Sequence, residues 1–287
     1  MKFHDVWMRI GGVLLVLGST AAGYVLWARP YQLTWGARQE EVQRVYPGDE
    51  LMGEPDFLAT RAITIQAPPE EIWPWLIQMG YGRAGFYGYD ILENQGSERG
   101  IYSAEKILPQ YQNFQTGDQL PISFAVLNYF AAVEPGSHLV WSSLEGEHPG
   151  ALTWALYPDG ENQTRLVSRI GWEYPRSGAL EISLALFTEF TDHLAVRKIL
   201  TGLKNRVEGT PEPFWIQNFE FGIFVISWLI FAVSFLLILV RPFSWTQILV
   251  SLVAGTAWLI IWYGPIPSWG AGLLGLTQVF GVFRVWN

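Results

Sequence analysis

ATRAITIQAPPEEIWPWLIQMG, running from Ala59 to Gly80, decides the fold class. Its first half alternates. Ala62, Thr64 and Gln66 fall on one face of a strand, and Arg61, Ile63 and Ile65 on the other. Ala67-Pro68-Pro69 stops that strand. Pro69 suits the first position of a helix, and Glu70 and Glu71 suit its positive N-terminus. A helix over Pro69–Met79 gathers Ile72, Trp73, Leu76 and Ile77 on one side, and Gly80 ends it. Pro74 falls within the early turns, where proline is best tolerated.

Working outward, Gly82–Gly96 brings Phe86, Tyr87 and Tyr89 into a short helix, Asp90–Asn94. Strand-like stretches follow at Ser123–Val133 and His138–Ser143, around the turn Glu134-Pro135-Gly136-Ser137. A hairpin comes next. Ala151–Tyr157 and Thr164–Tyr174 alternate across Pro158-Asp159-Gly160. Leu152, Trp154 and Leu156 share one face, and so do Leu166, Ser168, Ile170 and Trp172. A long helix from Gly178 to about Val207 closes the domain. Its apolar positions Leu180, Leu184, Phe187, Leu194, Leu200 and Leu203 recur at helical spacing. The expected class is α+β, an antiparallel sheet burying one long helix. Such a layout can leave a cavity lined by aromatic residues.

Charge divides the chain. Between Arg29 and Asn218 stand 14 Lys and Arg against 24 Asp and Glu. An acidic surface argues against nucleic acid, whose phosphates need clustered cations. No charge lies between Arg9 and Arg29, between Glu220 and Arg241, or between Arg241 and Arg284. Ile10–Ala28 and Phe221–Val240 are each long enough to span a bilayer, and Phe243–Tyr263 forms a hairpin with the second. Ser268–Phe283 is glycine-rich and short, either a fourth span or a re-entrant segment. The expected organisation is an N-terminal anchor (1–28), a linker (29–56), a soluble domain (57–209) and a C-terminal membrane region (210–287). Lys2, Arg9, Arg241 and Arg284 would share one side, which places the domain outside the cytoplasm. Arg29, Arg38, Arg44, Lys204 and Arg206 on the domain side weigh against this.

Chemistry-bearing residues are few. There is no cysteine, so disulfides, thiolate catalysis and Cys-type zinc sites are excluded. The four histidines lack a helical metal spacing, and no metal or cofactor is expected. Asp90, Glu93 and Asn94 share one helix face. They read either as an acid/base pair at a pocket mouth or as a helix cap beside a hydrogen-bonded glutamate. His138, His148 near Glu145 and Glu147, and His193 read as surface or structural residues. Arg169 reads as an exposed partner of Glu173.

Three stretches resemble the START-like superfamily, also called SRPBCC, polyketide cyclase/dehydrase-like or helix-grip proteins. ITIQAPPEEIWPWLIQMG resembles the family's first strand and helix through Ala67, Pro68, Glu71, Trp73 and Leu76. GFYGYDILEN (Gly85–Asn94) and RKILTGLKNRVEG (Arg197–Gly209) are similar to a membrane-anchored bacterial branch. The resemblance covers roughly 57–209. It implies a curved sheet gripping the C-terminal helix around a tunnel for a hydrophobic molecule. Trp73, Phe86, Tyr87, Tyr89, Trp141, Trp154 and Trp172 are the candidate ligand-binding residues, or else core. The leading expectation is an integral protein of a bacterial plasma membrane that binds a lipid, an isoprenoid or a similar hydrophobic ligand. The alternatives are a cyclase- or hydrolase-like enzyme using Asp90 and Glu93, and a structural or sensory protein filled by its own aromatics.

Overall fold

The computed structural model describes residues 3–143, 150–174 and 178–264. The expected fourth segment, 268–283, and the loop with Glu145, Glu147 and His148 lie outside them. The chain forms two compact units, Gln32–Gln217 and the joined terminal segments Met1–Tyr31 and Asn218–Asn287.

In the central unit, β1 (Phe57–Ile65), β2 (Gln119–Pro121), β3 (Leu127–Glu134), β4 (His138–Ser142), β5 (Gly150–Pro158) and β6 (Thr164–Trp172) make one antiparallel sheet, ordered β1-β6-β5-β4-β3-β2. Register follows the alternation read from sequence. Leu152 faces Ile170, Trp154 faces Ser168, and Leu156 faces Leu166 across β5 and β6. Arg61 and Ile63 of β1 align with Ser168 and Leu166, which extends the same face. The stretch from Ser123 is not strand at its start. The Ser123 hydroxyl accepts from the amides of Ala125 and Val126, a local turn that delays β3 to Leu127 and pairs it with the short β2.

Helix α4 (Pro69–Ile77) and the long α6 (Ala179–Val207) pack on this sheet, α6 against β1 and α4. The core joins Ile65, Ile72, Leu76, Phe130, Leu139, Trp154, Leu166, Leu200 and Leu203. The apolar stripe of α6 is not buried throughout. Leu180, Leu184 and Phe187 are exposed, whereas Leu200 and Leu203 are buried. Twenty-nine helical residues reach roughly 43 Å. A nine-residue strand reaches about 30 Å, so the first turns of α6 overhang the sheet.

The expected linker is a packed layer on the opposite face of the sheet. Short helix α3 (Gln39–Gln43) leads into Tyr46, which is buried with Ala62, Ala155 and Val167. Met52 packs with Val140 and Ala151. Two arginines of β6 hold the layer. Arg165 makes two bonds to the Glu41 carboxylate, at 2.8 and 2.7 Å. Arg169 pairs with Asp49 at 3.1 Å and donates to Thr60 at 2.7 Å. Arg169 is therefore buried and is not the exposed partner of Glu173 read from alternation.

In the terminal unit, α1 (Phe3–Gly23) runs through a π-turn, Tyr24–Ala28, into α2 (Arg29–Leu33). The helix thus passes Arg29, where the apolar run ends. Helices α7 (Phe214–Val240) and α8 (Trp245–Tyr263) follow, and Ser244 caps α8 through the Thr246 amide. Among the described residues, three helices, Asp5–Leu33, Phe214–Val240 and Trp245–Tyr263, are long and apolar enough to cross a membrane. Arg9 donates to the carbonyls of Leu239 at 2.7 Å and Arg241 at 2.5 Å. A cation there satisfies orphan carbonyls at the C-terminus of α7.

Candidate functional site

A cavity of about 490 Å³ opens between the sheet and α6. The sheet contributes Trp141, Leu152, Ile170 and Trp172, and α6 contributes Asp192, Ala195, Val196 and Ile199. Those four positions are spaced i, i+3, i+4 and i+7, one stripe of a helix. The remaining wall includes Phe86, Leu92, Glu93, Ile122 and Asn128. Walls of this kind, mostly apolar with a few polar groups, are typical of small-molecule sites.

Of the seven aromatic candidates, Phe86, Trp141 and Trp172 line this cavity. The other four lie elsewhere. Trp154 is fully buried behind Trp141, with ring centroids 5.7 Å apart. Trp73 packs against the core. Tyr89 is buried, with the Lys198 ammonium 5.3 Å from its ring. The Tyr87 hydroxyl accepts from Gln78 at 2.8 Å and donates to the Trp75 carbonyl at 3.0 Å, a purely internal role. Burial pushes that phenol well above its ordinary range.

Helix α5 (Asp90–Glu93) separates its two carboxyls. Asp90 accepts from Ser103 at 2.5 Å and from Asn94 at 3.2 Å. It lines a different recess, which it shares with Arg99, Glu105, Lys106, Arg206 and Glu212. Burial raises its pKa, against the opposing Ser103 bonds. Glu93 lines the cavity between sheet and helix. Its Oε2 accepts from the Gly88 amide at 3.2 Å. Its Oε1 is shielded from solvent and, among the described residues, has no hydrogen-bond partner. Burial pushes this carboxyl up to about 8, against the backbone amides of Tyr89 and Gly88, with Asp90 adding to the shift and Lys198 opposing it. Burial thus favours the protonated form of Glu93. The two acids thus line different recesses.

Sequence reasoning missed Asp192. Its carboxylate meets Arg61 at 2.6 Å, and Arg61 also donates to the Gln32 carbonyl. Arg61 has no solvent exposure, although its place in an alternating strand carries no sign of that. The available signal is the helical stripe Asp192–Ile199, which the neighbouring His193 obscures. His193 is buried, and burial drives its pKa well down, so it stays neutral. His138 contacts the Ser137 hydroxyl at the surface. Among the described residues, no three His, Cys, Asp or Glu side chains cluster to hold a metal ion.

No family model matches the chain, and no curated protein matches it. Solved structures similar to it include TTHA0849 from Thermus thermophilus, at 16% identity over 54% of this chain and 99% of that chain, TM-score 0.31. DynU16, from the dynemicin biosynthetic locus, is similar at 17% identity over 55% of this chain and 49% of that chain, TM-score 0.33. CalC, a self-sacrificing resistance protein from Micromonospora echinospora, is similar at 10% identity over 54% of this chain and 96% of that chain, TM-score 0.33.

Proposed function

We propose that this chain is a membrane-anchored START-like protein whose central unit holds a hydrophobic molecule, with the sheet gripping α6 around it. The cavity carries this reading. Its walls are three aromatic rings, the aliphatic Leu152 and Ile170, and the Ala195–Ile199 face of α6. Burying apolar surface there supplies about 25 cal/mol per Å² of ligand area removed from water. The three apolar helices keep the unit beside a bilayer, where lipids and isoprenoids are concentrated. The test is extraction of purified full-length protein in organic solvent, followed by mass spectrometry. One hydrophobic species in near-stoichiometric amount is expected. Ala195→Phe, which puts a ring into the cavity from a helical position, should abolish retention while the protein stays folded. Equal retention by that variant sinks the cavity as the site.

The same reading places the central unit outside the cytoplasm. It is supported by Arg9 and Arg241, which meet at one end of the terminal unit and so count together under the positive-inside rule. The chain has no cysteine, so one introduced at the exposed Glu161 reports sidedness without background. Glu161→Cys should react with a membrane-impermeant maleimide on intact cells. Labelling only after lysis reverses the orientation.

A further inference from the structure

The cavity is one-sided in charge. Among the described residues, Glu93 and Asp192 line it, and no Lys, Arg or His does. The Asp192 charge is answered by Arg61 at 2.6 Å. Glu93 has no such partner. Asp90 on its own helix is a second acid, and α6 brings Asp192 and Lys198 toward it. The Lys198 ammonium is held by Glu212 at 2.5 Å. The seat of the carboxyl is specific. A Cβ at Gly88 would collide with both of its oxygens, so only glycine lets the group lie there. Trp141 is nearly fully buried at the cavity wall, and among the described residues its indole nitrogen has no hydrogen-bond partner. Polar atoms are thus left open beside an apolar space, which is the pattern of a site completed by its ligand.

The sign of the ligand's head group follows. Among the described lining residues, an anionic head would meet two carboxyls and no cation. An ammonium would meet a carboxyl without an ion-pair partner in a cavity that Phe86, Trp141 and Trp172 also line, and aromatic rings attract cations. Resting on the hydrophobic-ligand reading, we propose that the cavity takes a hydrophobic organic cation, an apolar body bearing one ammonium group, with Glu93 as its counter-charge. A cation bound there favours the ionised carboxylate. Binding near neutral pH therefore expels a proton from Glu93.

The test uses the full chain in nanodiscs of zwitterionic lipid, with empty discs as blank. Three pyrene probes share one apolar body: 1-pyrenylmethyl-trimethylammonium, 1-pyrenemethanol and 1-pyrenesulfonate. None changes charge across the pH range used, so any titration belongs to the protein. Tryptophan quenching reads binding. At pH about 9 the ammonium probe should bind at least ~tenfold tighter than the alcohol, with the sulfonate weakest. Below pH about 8 its affinity should fall by roughly tenfold per pH unit, because the carboxyl must first lose its proton. Glu93→Gln should erase both the preference and the pH slope while leaving alcohol binding intact. Calorimetry of the unmodified chain in two buffers of different ionisation enthalpy should show close to one proton released per ammonium bound at pH about 7. Equal affinity for ammonium and alcohol, a preference for the sulfonate, or absence of proton release overturns the charge inference and leaves the hydrophobic site standing. Failure of all three probes to bind overturns both.

Discussion

Glu41→Ala should cost the central unit about 3–5 kcal/mol, because it strands a buried guanidinium. For a unit of this size that lowers the thermal midpoint by roughly 10 °C or more. Glu41 and Arg165 are both nearly fully buried, and they meet through two parallel bonds at 2.8 and 2.7 Å. Arg165 also donates to the Gly36 carbonyl at 2.8 Å and to Thr64 at 3.0 Å. Those neutral acceptors remain in the variant, but the counter-charge is gone. The contrast is Arg38→Ala. Its partner Asp159 is also met at 2.7 Å, yet the Arg38 side chain is about half exposed, and a solvent-screened surface pair adds little. The pH dependence has a defined sign. Burial alone would raise the Glu41 pKa, but the bonds from Arg165 and from the Arg38 amide outweigh it and hold the carboxyl below its ordinary value. A depressed carboxyl contributes fully above its unfolded value of about 4.3, and the contribution is lost as pH falls below that. The gap between wild type and Glu41→Ala should therefore be widest near neutrality and shrink in acid. Equal urea midpoints at pH 7 would show that the layer is not held by this pair.

That ion pair also marks where the sequence stops being legible. The β5–β6 hairpin can be read because Leu152, Trp154 and Leu156 alternate with a turn beside them, and alternation is a local signal. The 36–52 layer has no period. Tyr46 and Met52 are single anchors in irregular chain, and the charges that fasten them lie on β6, more than a hundred residues away. The cavity is legible as a kind of space and only partly as a set of residues. Large rings serve core and pocket alike, so Trp141 and Trp154, adjacent in space, cannot be told apart by type. Small residues such as Ala151 and Ala195 shape the wall by what they leave empty, and alanine announces nothing. Glu93 stands out in the sequence for its spacing from Asp90. Its distinction is burial without an ion-pair partner among the described residues, which spacing along the chain does not show. The overhang of α6 escapes the sequence for a similar reason. Helical spacing shows which side is apolar, and the length of the neighbouring strands decides how far that side is covered.

Gly202→Ala should destabilise the central unit by about 2–3 kcal/mol, against the direction of helix propensity. In the interior of a helix, alanine is favoured over glycine by about 1 kcal/mol. Here the added Cβ would fall inside the Tyr87 carbonyl oxygen, within the contact distance that any real Cβ keeps. The obstacle is backbone, so no side-chain rotation relieves it. Tyr87 cannot easily yield either. It holds φ at +67°, a conformation uncommon for a non-glycine residue and costly to re-form elsewhere. It is fixed by its hydroxyl bonds, by its amide donating to Ser103 at 3.1 Å, and by the Arg206 guanidinium 4.7 Å from its ring. Overpacking two rigid elements typically costs about 1–3 kcal/mol, and strain at Tyr87 adds to it. The alternative is for α6 to withdraw from the loop. That motion separates Phe86 on the loop from Val196 and Ile199 on the helix, all of which line the cavity. Gly202→Ala should thus lower the urea midpoint and weaken retention of the hydrophobic ligand together. Gly222, with nothing within 4 Å of its would-be Cβ, should accept alanine at no cost. A Gly202→Ala protein as stable as wild type would mean that α6 does not press on the Phe86–Tyr87 loop. The wall that loop provides would then have to be held by something other than this contact.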